Sequence, residues 1–272
     1  MDVENYFLDK IEVLPMLPES VHKISAICHD PLSGIRDLVD IVQTDPMLSA
    51  NLLKAANAPV YGMSRKITTV SQAVSLFGMY MVRGFALASA VKETIILDVS
   101  CYSIENYQFV EVATQQNALL MNWIGRHQPK MMDILAPLSF IDNVGQILVN
   151  NYIKEHHLEA EFSDVIIKYE FIEEAEIALI KKTSQQIVSK LFEHWLFEEA
   201  LVETMSIIDY ENSESSYIEY ARILHVMRTL INNKSQLESK QIDKALFLAD
   251  KYGFDTALLE SEIERLLGVV AA

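Results

Sequence analysis

The side chains able to do chemistry are seven histidines, two cysteines and two adjacent carboxylate pairs. A protein metal site needs several ligands converging on one point, but the histidines at 22, 29, 127, 156, 157, 194 and 225 are scattered, apart from His156 and His157. Neighbours on a helix point about 100° apart, so this pair does not supply two ligands to one ion and reads as a solvated helix end. His225 lies on an apolar helical pattern, Ala221-Arg-Ile-Leu-His-Val-Met-Arg228, and reads as a hydrogen-bonded core residue. Cys28 and Cys101 have no His, Lys or Arg at a helical spacing that signals a stabilised thiolate, so both read as buried structural thiols. Glu173-Glu174 and Glu198-Glu199 read as exposed helix faces, because a two-carboxylate acid–base site has no signature without geometry. Met79, Met81, Met121, Met131 and Met132 read as core filling. The chain has no Gly-rich phosphate loop, GxSxG elbow, HExxH or EF-hand pattern, which removes several common enzyme classes.

The frame around these residues is a globular one. The 272 residues carry 22 Lys+Arg against 38 Asp+Glu, a formal charge of −16, and half are apolar, which excludes disordered and low-complexity classes. Two cysteines and no CxxC point to a reducing, cytoplasmic setting. The N-terminus, Met1-Asp2-Val3-Glu4-Asn5, is acidic and polar, unlike a secretory signal. No uninterrupted window of about 18 apolar residues occurs, because the run from Gly78 to Val99 is broken by Arg83, Lys92 and Glu93; a soluble chain is expected. Residues 1–136 carry a charge of −4 and residues 137–272 a charge of −12, so direct binding to nucleic acid or an anionic membrane is disfavoured and a protein partner favoured.

The elements that must hold any site are helical. All seven prolines lie at or before Pro137, and only Gly145, Gly253 and Gly268 follow it, so the second half has few helix breakers. Ile35, Leu38, Val39 and Val42 form one helical stripe. Asp45-Pro46 is a helix start, giving a helix from Pro46 to about Ala56 that stops at Asn57-Ala58-Pro59. After an irregular stretch beginning at Tyr61-Gly62, a helix carrying Val70, Ala73, Val74 and Phe77 closes at Gly78, and another runs from Met79 to Ile96. Further helices are expected at about 105–127, 131–153, 172–194, 197–208, 214–232, 240–251 and 256–268. Asp164-Val-Ile-Ile-Lys168 is a candidate strand, but no strand–turn alternation supports a sheet, and the chain reads as all-α.

Four segments together carry a resemblance: Leu14-Pro-Met-Leu-Pro18, Ile41-Val-Gln-Thr-Asp-Pro-Met-Leu48, Leu52-Leu-Lys-Ala-Ala-Asn-Ala-Pro-Val-Tyr-Gly62 and Ile67-Thr-Thr-Val-Ser-Gln-Ala-Val-Ser-Leu-Phe-Gly78. They resemble the HDOD family, bacterial signalling output domains related to the HD phosphohydrolases. The resemblance covers about residues 12–210. It implies a compact multi-helix fold, with an N-terminal helical subdomain to about residue 98 and a degenerate HD-like helical subdomain from about residue 105. Residues 211–272 are then expected to be a C-terminal helical extension packed on the HD-like part.

HD phosphohydrolases bind metal through a first His, an adjacent His-Asp pair and a later Asp, and the metal activates water. By the resemblance, the first His falls at Gln115 or Gln116, the His-Asp pair at Asp142 and Asn143, and the Lys of His-Asp-x-Gly-Lys at Gln146, with Gly145 retained. A His that often opens the next segment falls at Ser184, and a His-His pair at Ile207 and Ile208. In Ile223-Leu-His-Val-Met-Arg228, similar to a Val-His-Leu-Ala-Asp element, His225 is retained and Arg228 stands at the Asp. An arginine there supplies positive charge and cannot become a metal ligand. The resemblance therefore implies no catalysis, metal or cofactor.

The expected function is a cytoplasmic signal-transduction or regulatory module that binds another protein, with a small nucleotide as candidate tuning ligand and a role in motility, chemotaxis or stress signalling. The alternatives are a nucleotide or cyclic-dinucleotide sensor using the vacated pocket and a divergent metal-dependent phosphohydrolase. The candidate interaction region is Asp45, Pro46, Asn57, Tyr61 and Gly62, polar or turn positions set in an apolar helix pattern. The module is expected to stand alone, without receiver, GGDEF or EAL segments, so its signal arrives through a noncovalent partner or ligand. The final helices, from about Gln241 to Gly268, are expected to pack on the core or to form a homodimer face.

Overall fold

In the computed structural model, residues 2–61, 63, 65–169, 171–210, 212–232 and 237–270 are described, by backbone alone at 269 and 270. Every regular element among them is helical. The N-terminal part holds α1 (Val3–Glu12), α2 (Glu19–His29), α3 (Ile35–Gln43), α4 (Pro46–Ala56) and α5 (Val70–Thr94). A second part holds α6 (Asn106–Leu120), α7 (Met132–Ile141), α8 (Gly145–Glu155), α9 (Glu159–Lys168), α10 (Ile172–Ile180), α11 (Ser184–His194) and α12 (Glu199–Ser206). Then follow α13 (Ile218–Leu230), α14 (Ser239–Tyr252) and α15 (Thr256–Val270). The all-α class is as expected, and the candidate strand at 164–168 is the end of α9.

Local chemistry fixes most of the boundaries. The Asp45 carboxylate accepts the Leu48 N–H at 2.9 Å, with Pro46 at the first helical position. Thr69 with Gln72, and Thr183 with Gln186, form capping boxes that start α5 and α11. Gly78 interrupts α5 at φ 74° and ψ 174°, a conformation that favours glycine, so two helical stretches meet there as the sequence suggests. Two long helices expected from the sequence are each divided. The 131–153 stretch turns at Asp142, Asn143 and Val144, and the 172–194 stretch breaks where Lys181 turns left-handed at φ 61° before Thr183 restarts the helix. The 105–127 stretch is α6, continued by a wider turn over Met121–Gly125. Helices α1, α2 and α9 lie where the periodicity gave no assignment.

Helix α5 is the hub, packed against α2, α3 and α4 and against α7. A Cβ on Gly84 would lie 2.7 Å from the Phe140 ring and 3.0 Å from the Ala136 carbonyl, so the close α5–α7 approach needs glycine. The Leu14–Pro18 segment is tied to α11, because the buried Trp195 donates from Nε1 to the Pro15 carbonyl at 3.1 Å and His194 Nε2 lies 3.0 Å from the Leu14 carbonyl. Arg83 of α5 is buried and pairs with Asp133 of α7 at 3.0 Å and with Glu198, which precedes α12. Glu198 is exposed, as expected, and through Arg83 it also links α5 to the start of α12. Helix α14 packs on α13, while α15 touches the 121–125 turn and the Pro59–Tyr61 turn, where Arg265 Nη1 donates to the Val60 carbonyl at 3.0 Å.

By length and average composition, Val70–Thr94 and Pro129–Glu155 are apolar enough to cross a membrane, which a count of uninterrupted apolar residues does not reveal. Most of each is buried in the helical core.

Candidate functional site

The break between α7 and α8 places Asp142 and Asn143 at the bottom of a cleft, and α13 runs past it with Arg228 facing in. Arg228 Nη1 donates to Asp142 Oδ2 at 3.0 Å and to Asn143 Oδ1 at 3.1 Å, and Nη2 donates to Glu173 Oε1 at 2.7 Å. The Gln185 carboxamide satisfies its neighbours with its oxygen toward Arg228, 2.9 Å from Nη1, and accepts from Ser184 Oγ at 3.0 Å. Asn143 also donates to Gln116 Oε1 at 3.0 Å and to Asp142 Oδ1 at 2.9 Å, while Gln116 donates to the Ile231 carbonyl at 3.1 Å. One guanidinium thus gathers α7, α10, α11 and α13 around a single cation.

Close packing holds this arrangement. A Cβ on Gly145 would lie 2.0 Å from the Ser184 carbonyl oxygen, so the first residue of α8 and the first of α11 meet backbone to backbone, which only glycine permits. The Asp142 side chain is fully buried and that of Arg228 is 8% exposed. Burial raises the Asp142 carboxyl to about 6, although the Arg228 charge and hydrogen bond pull the other way. Burial pushes Glu173 up as well, but Arg228 more than offsets it and holds that carboxyl below its ordinary range. Arg228 is correspondingly held more firmly protonated against the burial that opposes its charge, by Asp142 and then Glu173.

A second acid lies behind the first. Glu176, one turn along α10 from Glu173 and fully buried, accepts from Tyr102 Oη and from the Ser184 N–H, each at 2.6 Å. Burial raises its carboxyl to about 8. Asp209 accepts from Thr183 Oγ1 at 2.6 Å and is also raised by burial. Two openings flank the Arg228–Glu173 pair. A cavity of about 170 Å³ is lined by Gln116, Asn143, Gln146, Arg228 and Gln241, and one of about 260 Å³ by Thr183, Ile208, Asp209, His225 and Arg228. Glu173 borders both. His225 Nδ1 lies 3.1 Å from Tyr252 Oη.

The structure therefore brings together Gln116, Asp142, Asn143, Gln146 and Arg228 on one side, with Ser184, Ile208 and His225 nearby, while Ile207 is half-buried at the end of α12. Glu173, Gln185, Glu176 and Asp209 are members that sequence reasoning missed. The sequence predicts an exposed face for both Glu173 and Glu174, and only Glu174 faces solvent. The usable signal was the i,i+3 placement of Glu173 and Glu176 on one face beside the buried Ala175 and Ile180.

In the Asp45–Gly62 stretch, Asp45 and Pro46 cap α4. Asn57 donates to the Leu53 and Ile67 carbonyls at 2.7 and 2.9 Å and accepts the Ile67 N–H at 2.9 Å, closing the loop before α5. Tyr61 donates to Asn117 Oδ1 at 3.3 Å and meets the Phe77 ring edge-on, with centroids 5.0 Å apart; burial raises its hydroxyl. Gly62 lies outside the described residues. The two thiols are half-buried rather than buried, and partial burial pushes Cys28 up to about 12 and raises Cys101 as well.

The residues do not fit a metal ion. The place where carboxylate, amide and backbone groups converge is taken by a side chain with five donors and no acceptor. Among the described residues, no group of three or more His, Cys, Asp or Glu is arranged to hold one.

A family model described as the HDOD domain matches residues 14–209. A crystal structure of a putative signal transduction protein from Marinobacter aquaeolei VT8 aligns with a TM-score of 0.70 at 20% identity, over 97% of this chain and 59% of that one. A putative phosphohydrolase from Shewanella amazonensis SB2B aligns with a TM-score of 0.68 at 19% identity, over 97% and 94%. A virulence factor from Campylobacter jejuni subsp. jejuni aligns with a TM-score of 0.58 at 24% identity, over 96% and 94%. These likenesses establish a shared fold. A 71-residue stretch is 30% identical to an uncharacterised protein of Treponema pallidum (strain Nichols), spanning 26% of this chain and only 14% of that protein.

Proposed function

Because the chain belongs to the HDOD domain family, we propose that it is a non-catalytic regulatory module, cytoplasmic, that passes a signal by binding another protein. The observation that carries this reading is the Arg228 guanidinium enclosed by Asp142, Asn143 and Glu173. HD-type hydrolysis needs a cation with an open coordination position to activate water. A guanidinium supplies the charge but coordinates nothing, so it keeps the helices together without giving a nucleophile. On this reading residues 12–210 are the HDOD domain, residues 211–272 extend it, and the work belongs to motility, chemotaxis or stress signalling. The partner surface is centred on the Asp45–Tyr61 stretch, where Met47 stands 59% exposed beside the capped start of α4.

Mild crosslinking in the source cell, native purification and mass spectrometry test this. The expected result is a reproducible protein partner that is lost in Met47→Glu, with the thermal unfolding of the domain unchanged. Stoichiometric Mn, Fe or Zn together with phosphodiester hydrolysis that disappears in Asp142→Ala would overturn it.

One observation favours a second reading, a nucleotide or cyclic-dinucleotide sensor. Gln146 and Gln241 line the cavity of about 170 Å³, and the side-chain oxygen of each is buried without a hydrogen-bond partner. Orphaned acceptors of this kind suit the amino and imino donors of a nucleobase edge. Saturable calorimetric binding of a nucleotide without product, weakened in Gln241→Leu, distinguishes this reading from the first.

A further inference from the structure

A different cavity, remote from Arg228, lies between α4, α5 and α6. Its volume is about 360 Å³, larger than either opening beside Arg228, and its walls are apolar: Phe85, Phe109, Phe140 and the small residues Ala55, Ala58 and Ala88. The alanines leave the space open; the Phe85 and Phe140 rings, with centroids 4.3 Å apart, close its floor. Two cations stand at its edge, Lys54 on α4 and Lys92 on α5.

These lysines are unusual in this chain. Carboxylates outnumber basic side chains by 38 to 22, yet among the described residues neither lysine has a carboxylate within ion-pairing distance. Both line the same cavity, and partial burial of Lys92, with the Lys54 charge adding to it, lowers the Lys92 pKa. Two neighbouring ammonium groups repel each other unless an anion lies between them, and none of the described residues provides one. The remaining polar groups nearby are already engaged, since Asn51 donates to Ser89 Oγ at 3.0 Å and Thr114 to the Val110 carbonyl at 2.9 Å.

The geometry points to a binding site for an anionic amphiphile, a medium-chain fatty carboxylate whose head pairs with Lys54 and Lys92 and whose chain fills the Phe85–Phe109–Phe140 cavity. At about 30 Å³ per water-sized unit of a liquid, the cavity accepts a chain of roughly ten to twelve heavy atoms, and it falls within the size range of small-molecule pockets. The site stands apart from the Arg228 cleft and does not depend on how that cleft is read.

Decanoate binding to the full-length purified chain by titration calorimetry tests this, with decanol and anionic lipid vesicles as the comparison probes. One-to-one saturable binding of decanoate is expected, weakened at least tenfold in the Lys54→Gln/Lys92→Gln variant and abolished in Ala88→Trp, which fills the cavity. Both lysines are exposed and make no ion pair among the described residues, so the double variant should keep the wild-type unfolding temperature. Decanol should bind at least tenfold more weakly than decanoate. No decanoate binding overturns the proposal, as does binding indifferent to the lysine pair. Vesicle association through the two lysines with no binding of free decanoate also overturns it, because the surface would then read a lipid headgroup rather than enclose a chain.

Discussion

Replacing Arg228 with Met, which keeps the length and removes the charge, should reveal how much of the fold this one cation holds. The side chain is 8% exposed and Asp142 is fully buried, so its loss leaves a carboxylate without counter-charge in the interior. Removing one partner of a buried ion pair typically costs about 3–5 kcal/mol. The lower end is expected here, because Asp142 can escape by taking a proton. Burial already lifts its carboxyl from 3.8 to about 6 with Arg228 present. A folded-state pKa raised in this way means stability that is full below pH 3.8 and is lost as pH climbs through about 6, some 3 kcal/mol by linkage. Without Arg228 that window moves further upward. In urea denaturation, Arg228→Met should therefore lose about 3 kcal/mol at pH 7.5, with the m-value unchanged. At pH 5, where Asp142 is largely protonated but Glu173, held below its ordinary range by the same cation, is still charged, the loss should be smaller, about 2 kcal/mol, the worth of the charged hydrogen bond to Glu173. Adding Asp142→Asn should restore the part of the pH 7.5 loss that belongs to Asp142 and leave the part that belongs to Glu173. A loss under about 1 kcal/mol at pH 7.5, or equal losses at both pH values, would refute the claim that the cation holds a buried charge.

Arg228→Asp should give the cleft a third carboxylate and a Mn²⁺-dependent rise in unfolding temperature that the parent lacks; the absence of any Mn²⁺ response would count against reading Arg228 as standing in a cation's place. Glu176→Gln should flatten the alkaline side of the stability profile: the parent's carboxyl, raised to about 8, contributes stability present below 4.5 and lost as pH rises through 8, and a neutral amide has no such loss. Matching urea midpoints for parent and variant from pH 6 to pH 9 would show that Glu176 is not buried as a neutral acid. Gly145→Ala should lower the unfolding temperature by about 4 °C or more, since its methyl meets the Ser184 backbone, which has no rotamer by which to yield; an unchanged temperature on calorimetry would mean that α8 and α11 separate freely.

Much of the frame was readable because it rests on local chemistry. Asp45-Pro46, Thr69 with Gln72 and the stripe at Ile35, Leu38, Val39 and Val42 declare their helices within a few residues. The break at Lys181 was not readable, because no Pro or Gly marks it, and Gly145, which follows the break at Asp142–Val144, is a residue type also found inside helices; the chain turns at both places so that one helix can end on the cleft and the next begin from it. The cleft itself was half legible. Positions that the resemblance matches to metal ligands do converge, but Glu173 looks like any solvated glutamate until α13 is laid across it. Gln185 and Glu176 were hidden for the same reason: burial comes from which helices meet, and that is not written in either helix alone.

An internal arginine and a bound metal differ in more than catalysis. A metal site can empty, exchange or open a position to a ligand, so its charge varies with the surroundings; Arg228 remains protonated at any physiological pH, and its donors are spent on Asp142, Asn143, Glu173 and Gln185. Such a centre is suited to fixing helix positions and poorly suited to sensing. Variation must then enter at the edges of the fold, where the groups are not saturated: the orphaned oxygens of Gln146 and Gln241, and Lys54 and Lys92, which lack an ion pair among the described residues, over an open cavity. The second of these has a physical route inward. Tyr61, Phe77, Phe85 and Phe140 stack successively, with centroids 4.3 to 5.0 Å apart, from the Pro59–Tyr61 turn to the end of α7, two residues before Asp142. A ligand that fills the space beside Phe85 and Phe140 presses on a close-packed row rather than on a compliant one, and close-packed interiors transmit such displacements.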